Sequence, residues 1–429
     1  MTARMLAFRL LQKAENHDQF LNIALDHALL ESGMEEADRA LAATLLYGVT
    51  ERKITLDYQL THLCDRPPQR LDQPVLTALR LGLYQLIYLD RIPPHAALNE
   101  TVSLLPKKMA GYVNAILRSY TRNPQLRFPP REKDIAEYFS VAYSVGLPLC
   151  RTLLDLFGEE RTESLLLHWG KAPATTLSVN TLHISREELQ AKIPDATPTP
   201  YAPNGLSVRG SVRSLYGYED GLFFVQDEAS QICVEALGAQ PNELVMDICS
   251  CPGSKSFGSA IRMNNQGQVL SFDLHAKKLA LLESGAQRLG ILIIKANAQD
   301  GRILLPEWEG KADRVLCDVP CSGFGVLSKK PDLRYKDPKD TAALPDIQLA
   351  ILENACRYVK SGGTLVYSTC TILPEENEQN VQRFLDRHPE FTLSPFCVGA
   401  LSADRGAITL YPDTQNTDGF FIARMIKKG

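Results

Sequence analysis

Two cysteines end two apolar runs in the C-terminal half of the chain. Cys321 closes the run in "LCDVPCSGFG", and Cys370 closes the run in "GGTLVYSTCTILPEEN". A cysteine thiolate is a strong nucleophile that can bond covalently to a substrate. Two thiols at the points where strand-like segments give way to loops therefore suggest one shared site.

A third strand-like run leads into a glycine-containing loop, "DICSCPGSKS", over residues 247–256. Glycine lets the backbone approach a ligand closely, and a following helix offers free N–H groups. The loop matches neither the dinucleotide fingerprint G-x-G-x-x-G nor the Walker phosphate loop. By itself it is equally consistent with a plain turn from strand to helix.

Four aspartates follow successive strand-like runs: Asp247, Asp273, Asp300 and Asp318. Asp273 occupies the place from which an acidic side chain binds the ribose hydroxyls of a nucleoside. Asp300, in "AQDGR", is available for an adenine edge. A single carboxylate at a strand end is often only a helix cap, but four along one sheet favour a nucleoside site.

Bulk composition limits the function classes. A chain of 429 residues is too long for one core and predicts two or three domains. The net charge of −4 gives no global sign of a nucleic-acid partner, so RNA binding would need local basic patches. The ten cysteines include no C-x-x-C pair, so we expect a reducing compartment and no metal site. The charged N-terminus is unlike a signal peptide, no run is long enough to span a membrane, and the cytoplasm is the expected location.

The apolar pattern changes along the chain. Residues 1 to about 125 show helical periodicity only, and a proline-rich connector, "RNPQLRFPPREKD", leads to a region with both helical and strand-like segments. From about residue 236, strand-like and helical segments alternate, which predicts a parallel sheet covered on both faces. Such sheets bind ligands at the carboxyl ends of their strands. The strand-like runs are "ELVMDIC", "GQVLSFDL", "GILIIKA", "ADRVLCDV", "GTLVYST" and "GFFIARMI".

These motifs resemble those of a known enzyme family. "DICSCPGSKS", "FDLHAKKL", "AQDGR", "DVPCSGFGVLSKKPDLRY" and "YSTCTILPEENE" are similar to the motifs of the RNA cytosine-5 methyltransferases of the Nop2/Sun group. "LLYGVTERKITLDYQL", "ALRLGLYQLIYL", "IPPHAALNETV" and "GYVNAILR" resemble the NusB-like domain that a bacterial branch carries. The resemblance implies an all-α NusB-like RNA-binding bundle (1–128), a small mixed α/β linker or RNA-binding domain (129–235) and an α/β Rossmann-like methyltransferase domain with a mostly parallel sheet (236–429).

The resemblance implies S-adenosylmethionine as methyl donor and a cytosine of small-subunit ribosomal RNA as acceptor. One departure from the family is that a single glycine precedes the lysine of the loop, and a cysteine replaces a small alanine. A positive φ at Ser254 would be strained and would weaken cofactor binding. The implied cofactor-binding residues are Cys249, Ser250, Cys251, Pro252, Gly253, Ser254, Lys255, Asp273, Asp300 and Asp318.

The resemblance also implies catalytic roles. Cys370 would add to C6 of the cytosine, and Cys321 would assist release of the methylated product. The exchanged assignment stays open, as does a purely structural role for both cysteines as small buried hydrophobes. Asp318 would hydrogen-bond the cytosine amino group and ring nitrogen, and Lys255 would hold Asp318 or lower a thiol pKa.

A basic segment beyond Cys321 is the candidate RNA contact. Its position favours phosphate binding, although a solvated charged surface would have the same composition. We expect a monomer that acts on free or partly assembled ribosomal RNA, with no membrane partner. Two other functions stay open: methylation of another RNA such as tRNA, or RNA binding by a chain whose methyltransferase domain is degenerate. The candidate RNA-binding residues are Lys329, Lys330, Arg334 and Lys336, with Lys339 beyond them.

Overall fold

The computed structural model describes residues 1–14, 25, 28–29 and 32–429. The chain divides into two compact units. The first unit comprises residues 1–170 together with 329–338, and the second comprises residues 171–328 together with 339–429. A short segment that follows Cys321 in sequence therefore belongs to the first unit.

The regular secondary structure in the described part of the first unit is helical. Leu45, Leu79 and Leu117 are fully buried in its core, as the apolar periodicity predicts. Pro94 occupies the first turn of its helix, where the missing N–H leaves no intrahelical bond unmade. The helices are α1 (Ala3–Ala14), α2 (Glu36–Glu51), α3 (Lys53–Leu63), α4 (Gln73–Tyr88), α5 (Pro94–Val102), α6 (Lys107–Arg122), α7 (Ile135–Tyr143) and α8 (Leu147–Trp169).

The second unit begins with a small antiparallel sheet. Strands β1 (Thr175–Val179), β2 (Thr197–Pro198), β3 (Gly205–Val208) and β4 (Phe223–Val225) lie in the order β2-β3-β1-β4. Helix α9 (Arg186–Lys192) covers this sheet and starts at a capping box formed by Ser185 and Glu188. Leu177, Leu189 and Phe223 form part of the core beneath it.

A larger sheet with covering helices completes the second unit. The elements of this region are α10 (Glu228–Leu237), β5 (Leu244–Asp247), α11 (Ser254–Arg262), β6 (Gln268–Asp273), α12 (Ala276–Arg288), β7 (Ile294–Ala298), β8 (Ala312–Asp318), α13 (Leu344–Ala355), β9 (Val359–Thr369), α14 (Glu378–Arg387), β10 (Phe391–Leu393), β11 (Phe396–Val398), β12 (Leu401–Ala403), β13 (Ala407–Leu410), α15 (Pro412–Gln415) and β14 (Phe420–Lys427). The strand order is β10-β14-β9-β8-β5-β6-β7, and β13 pairs with β14. The five strands β9, β8, β5, β6 and β7 run parallel to one another, whereas β14 is antiparallel to β9.

This architecture confirms the predicted fold class: a helical N-terminal region and an α/β region with a mostly parallel sheet. One strand begins later than its apolar run. The run "GILIIKA" starts at Gly290, but β7 starts at Ile294, because Gly290 has φ +69° and its N–H bonds to Gln287 O to close α12. The three-domain division at residues 128 and 235 stays a prediction. In the two-unit division, α7 and α8 belong to the first unit and the small sheet to the second.

No helix in the described ranges is long and apolar enough to cross a membrane.

Candidate active site

The loop after β5 is fastened to the neighbouring strand. Ser250 donates both its backbone N–H and its Oγ to Phe272 O, at 2.8 and 3.0 Å. The positive φ in this loop falls on Gly253, at +114°, and a Cβ there would lie 2.7 Å from Phe257 Cζ. Only glycine fits that position. The condition for strain at Ser254 does not arise, because Ser254 is the first helical residue of α11 and has no positive φ.

Two of the four aspartates that follow the strands accept hydrogen bonds from nearby backbone N–H groups. Asp273 accepts from His275 N at 2.8 Å and from Cys251 N at 3.3 Å, so it joins the ends of two loops. Asp300 accepts from the backbone and side chain of Arg302, and the guanidinium lowers the pKa of the Asp300 carboxyl. Both carboxylates thus hold local turns, and neither forms the helix cap that the sequence left open. Each carboxylate oxygen has two acceptor sites, so these bonds do not exclude ligand binding.

Asp247, at the end of β5, is 1 % exposed. Its Oδ2 accepts from Ser256 Oγ at 2.6 Å, whereas Oδ1 has no hydrogen-bond partner in the described part of the chain. Burial raises the pKa of Asp247 to about 7. Carboxylates around a close-approach loop suit the amine and ribose hydroxyls of S-adenosylmethionine, and Asp247 Oδ1 is a buried acceptor that still lacks a donor.

Lys255 and Asp318 form an ion pair at the same edge of the sheet. Lys255 Nζ lies 2.7 Å from Asp318 Oδ2, and Ser368 Oγ donates to Asp318 Oδ1 at 2.8 Å. Burial alone would lower the pKa of Lys255, but the Asp318 carboxylate raises it above its usual range. The ammonium also lies 5.0 Å from the centre of the Phe420 ring. The pair therefore fixes the Asp318 carboxylate in one orientation.

The two cysteines lie side by side. Strands β8 and β9 are parallel neighbours with Asp318 opposite Ser368, so their carboxyl ends bring the following loops together. Cys321 Sγ is 3.0 Å from Cys370 Sγ, and the Cys370 backbone N–H donates to Cys321 Sγ at 3.2 Å. The hydrogen bond with Cys370, assisted by burial, raises the pKa of Cys321 well above its usual value. The shift at Cys321 is therefore upward, and the lowering of a thiol pKa by Lys255 stays a prediction.

Comparison with known proteins decides the family. Residues 234–426 match the family model for the 16S rRNA methyltransferase RsmB/F, and residues 1–122 match the NusB family. The chain is 35 % identical over 451 residues to a probable ribosomal RNA small subunit methyltransferase B from Synechocystis, with 100 % of both chains covered. It is also 35 % identical over 448 residues to a Bacillus subtilis protein with the same description, with 100 % of this chain and 99 % of the relative covered.

The chain belongs to the RsmB/F family of 16S rRNA methyltransferases.

Membership confirms the family recognised from the sequence motifs, the enzyme class and S-adenosylmethionine as the methyl donor. Solved structures agree with the fold. The crystal structure of PH0851 matches with a TM-score of 0.82 at 25 % identity, covering 100 % of this chain and 99 % of the other. A methyltransferase homologue from Pyrococcus horikoshii matches with a TM-score of 0.60 at 28 % identity, covering 68 % and 99 %. The enzyme class shown by these relatives argues against a degenerate methyltransferase domain, and the positive φ at Gly253 removes the strain argument drawn from the altered loop.

One predicted RNA-binding residue is placed elsewhere. Arg334 is 1 % exposed and donates to the backbone carbonyls of Tyr143 and Trp169. It also pairs with Glu51 at 3.3 Å, all within the first unit. The prediction that Arg334 contacts phosphate is therefore wrong, because a guanidinium enclosed by protein carbonyls cannot reach RNA. Lys329 and Lys330 are exposed and Lys336 is partly exposed, so their predicted role stays open.

Three residues that sequence reasoning left without a role support the site. Glu376 Oε2 accepts from Ser322 N at 3.0 Å and from Gln348 Nε2 at 2.7 Å, which joins the two cysteine-bearing loops. Ser368 and Phe420 contact the Asp318–Lys255 pair. Glu376 and Ser368 stand within the quoted motif around Cys370. The motif offers Glu375 and Glu376 side by side, and nothing in the sequence says that Glu376 is the buried one. Nothing in the run "GFFIARMI" indicates the Phe420 contact either.

Proposed function

We propose that this chain methylates C5 of a cytosine in small-subunit ribosomal RNA through a covalent bond between Cys370 and C6. The main support for this proposal is the 3.0 Å separation of the Cys321 and Cys370 sulfurs, together with the Asp318–Lys255 ion pair. Two adjacent thiols suit a reaction in which one sulfur bonds to the base and must later leave. Covalent catalysis divides such a reaction into easier steps.

The chemistry begins at C6 because C5 of cytosine is a poor nucleophile. The Cys370 thiolate forms an Sγ–C6 bond, and the C5–C6 π electrons shift so that C5 becomes electron-rich. S-adenosylmethionine, when bound, supplies the methyl group as a sulfonium electrophile. The C5 proton then passes to solvent water, and the electron pair of the broken C5–H bond restores the C5–C6 double bond. The electron pair of the Sγ–C6 bond returns to the Cys370 sulfur, which leaves as a thiolate.

Asp318 holds the base during this sequence. Its two oxygens are fixed by Lys255 and Ser368, yet each keeps acceptor capacity for the exocyclic amino group of cytosine. Lys255 stays protonated because the carboxylate raises its pKa. The fixed carboxylate therefore favours cytosine, whose amino group donates, over uracil, whose oxygen at that position cannot donate.

Cys321 assists departure of the product. Its raised pKa keeps this thiol protonated at neutral pH, so it can donate a hydrogen bond to the adjacent Cys370 sulfur. A hydrogen bond to the sulfur that leaves stabilises the developing thiolate and favours cleavage of the Sγ–C6 bond. Either sulfur can be the donor in the 3.0 Å contact, so the choice of Cys370 as nucleophile rests on the resemblance of its motif to the family, and the exchanged assignment stays open.

The position of the two cysteines limits which form of RNA can be the substrate. A base inside a helix cannot reach two thiols at the rim of a sheet, so the cytosine must be unpaired or flipped out. We expect a monomer that acts in the cytoplasm on free or partly assembled small-subunit RNA. The basic segment formed by Lys329, Lys330 and Lys336 is the expected phosphate contact.

The proposal is tested by incubating the full chain with 16S rRNA and S-adenosylmethionine, then measuring 5-methylcytidine by mass spectrometry after digestion. The parent should form 5-methylcytidine, and Cys370→Ala should form none. Cys397→Ala is the matched control, because Cys397 is exposed and lies outside the site. Methylation of another atom or another base by the parent chain would refute the proposed function.

A further inference from the structure

A cavity apart from the candidate active site lies in the second unit, between the small sheet and helices α10 and α11. Its volume is about 220 Å³. The floor includes Gln226 and Gln231, which are 4 % and 5 % exposed. Thr181 and Pro203 stand exposed at the rim, so the cavity opens to solvent. None of the catalytic or cofactor-binding residues described above lines it.

The cavity lacks acceptors for two of its buried donors. Gln226 Nε2 and Arg262 Nε are buried and have no hydrogen-bond partner among the described residues. Gln231 differs, since its Nε2 donates to Leu177 O and Gln226 O and so holds the floor together. A buried donor without an acceptor is unfavourable and uncommon in folded proteins. A ligand with acceptor atoms would offer these two side chains a partner when they turn toward the cavity.

The charge and the walls of the cavity define the ligand further. Arg262 Nη1 lies 2.5 Å from Glu235 Oε2, and these are the two charged residues among those that line the cavity. The lining is therefore neutral overall, which disfavours a free phosphate or another small anion. Val179, Val234 and Ile261 supply apolar walls. The volume corresponds to roughly seven water molecules, comparable to a single nucleobase.

We propose that this α10–α11 cavity binds one unpaired nucleobase of the RNA substrate. Amide and guanidinium side chains are the groups that read acceptor edges of bases, and unstacked bases of single-stranded RNA are bound in this way. The inference rests on the proposed function, because it assumes an RNA substrate. Helix α11 carries Lys255 in its first turn and Arg262 at its end. The seven-residue separation places the cavity about 10 Å along the helix from the catalytic ion pair.

The test compares steady-state methylation of 16S rRNA by the parent and two variants. Gln226→Met keeps the side-chain length but removes the amide, and Thr181→Trp fills the mouth from an exposed position. Both should raise KM for RNA about 5-fold to 50-fold, as expected for loss of one base contact, and should lower kcat less. Gln287→Met, exposed on α12 and outside the cavity, is the matched control. Unchanged S-adenosylmethionine affinity shows that each variant is folded.

Two further measurements identify the ligand source. RNA containing 4-thiouridine should crosslink, on irradiation, to peptides that line the cavity, and Thr181→Trp should abolish those crosslinks. Equilibrium dialysis with adenosine, guanosine, cytidine and uridine tests binding of free nucleosides. If both variants keep the parental KM for RNA, the inference is overturned. It is also overturned if the cavity binds free nucleosides but no RNA crosslinks to it. If the parent makes no 5-methylcytidine, the proposed function fails, and the crosslinks still decide whether the cavity holds an RNA base.

Discussion

Replacement of Glu376 by alanine should destabilise the second unit, because this carboxylate joins the loops that carry the two cysteines. Glu376 is 2 % exposed. Its Oε2 accepts from Ser322 N, directly after Cys321, and from Gln348 Nε2 on α13. Glu376 itself follows Cys370 in the next loop. Alanine would leave both donors without this acceptor in a buried place.

The magnitude follows from the two bonds. A hydrogen bond to a charged group contributes about 1.5–3 kcal/mol, and an unsatisfied buried donor costs about 1–3 kcal/mol. Gln348 Nε2 keeps a second acceptor, Pro320 O at 2.9 Å. The free energy lost at Gln348 therefore lies at the lower end of these ranges. Glu376 Oε1 is buried without a partner among the described residues, so its removal offsets part of this loss, and Glu376→Ala should cost about 2–4 kcal/mol of unfolding free energy. Glu376→Gln keeps one acceptor oxygen and should cost about 1 kcal/mol.

Native-state hydrogen exchange of β9 amides measures this cost, because opening of the central sheet reports the stability of the second unit. The neighbouring Glu375 is exposed, so Glu375→Ala is the matched control and should change stability by no more than about 0.5 kcal/mol. A Glu376→Ala variant within about 1 kcal/mol of the parent would show that the carboxylate does not join the loops.

Three further outcomes are expected. Asp273→Ala should weaken S-adenosylmethionine binding by about 1–3 kcal/mol in calorimetry. Unchanged affinity would contradict the prediction that Asp273 binds the ribose hydroxyls. Joint neutralisation of Lys329, Lys330 and Lys336 should lower RNA affinity and reduce the salt slope by about 0.7–0.9 per lost contact; the parental slope would leave the segment a solvated surface. Burial raises the pKa of Asp247 from 3.8 to about 7, so its ionisation opposes folding increasingly as pH rises through that window. Asp247→Asn should therefore gain more stability over the parent near pH 8 than near pH 5 in urea denaturation, and an equal difference at both pH values would contradict the burial argument.

The meeting of the two cysteines could be predicted because the signal was local. Each cysteine follows an apolar run, and parallel strands end at one edge of a sheet. The alternation of strand-like and helical segments was enough to order them along that edge. Chain-local patterns of this kind also predicted the helices of the first unit and the strand ends that carry Asp247, Asp273 and Asp318.

The burial of Arg334 could not be predicted because its hydrogen-bond partners are distant in sequence. In a run of lysines it looks like a solvated cation, yet its carbonyl acceptors belong to Tyr143 and Trp169. The position of the positive φ was equally hidden. The family pattern suggested Ser254, whereas the contacts of Phe257 and Leu282 with the loop leave room only for Gly253. Packing decided both cases, and local composition does not report packing.

The most direct test of the covalent mechanism is the species that accumulates when each cysteine is removed. Cys370→Ala, Cys321→Ala and the parent are incubated with 16S rRNA and S-adenosylmethionine, and protein–RNA adducts are resolved on denaturing gels. If Cys370 adds to C6 and Cys321 assists departure, Cys321→Ala should methylate the base and then stall as a stable adduct, while Cys370→Ala should form neither adduct nor 5-methylcytidine. A stable adduct in Cys370→Ala and none in Cys321→Ala would reverse the two roles, and no adduct in either variant would contradict the release role of Cys321.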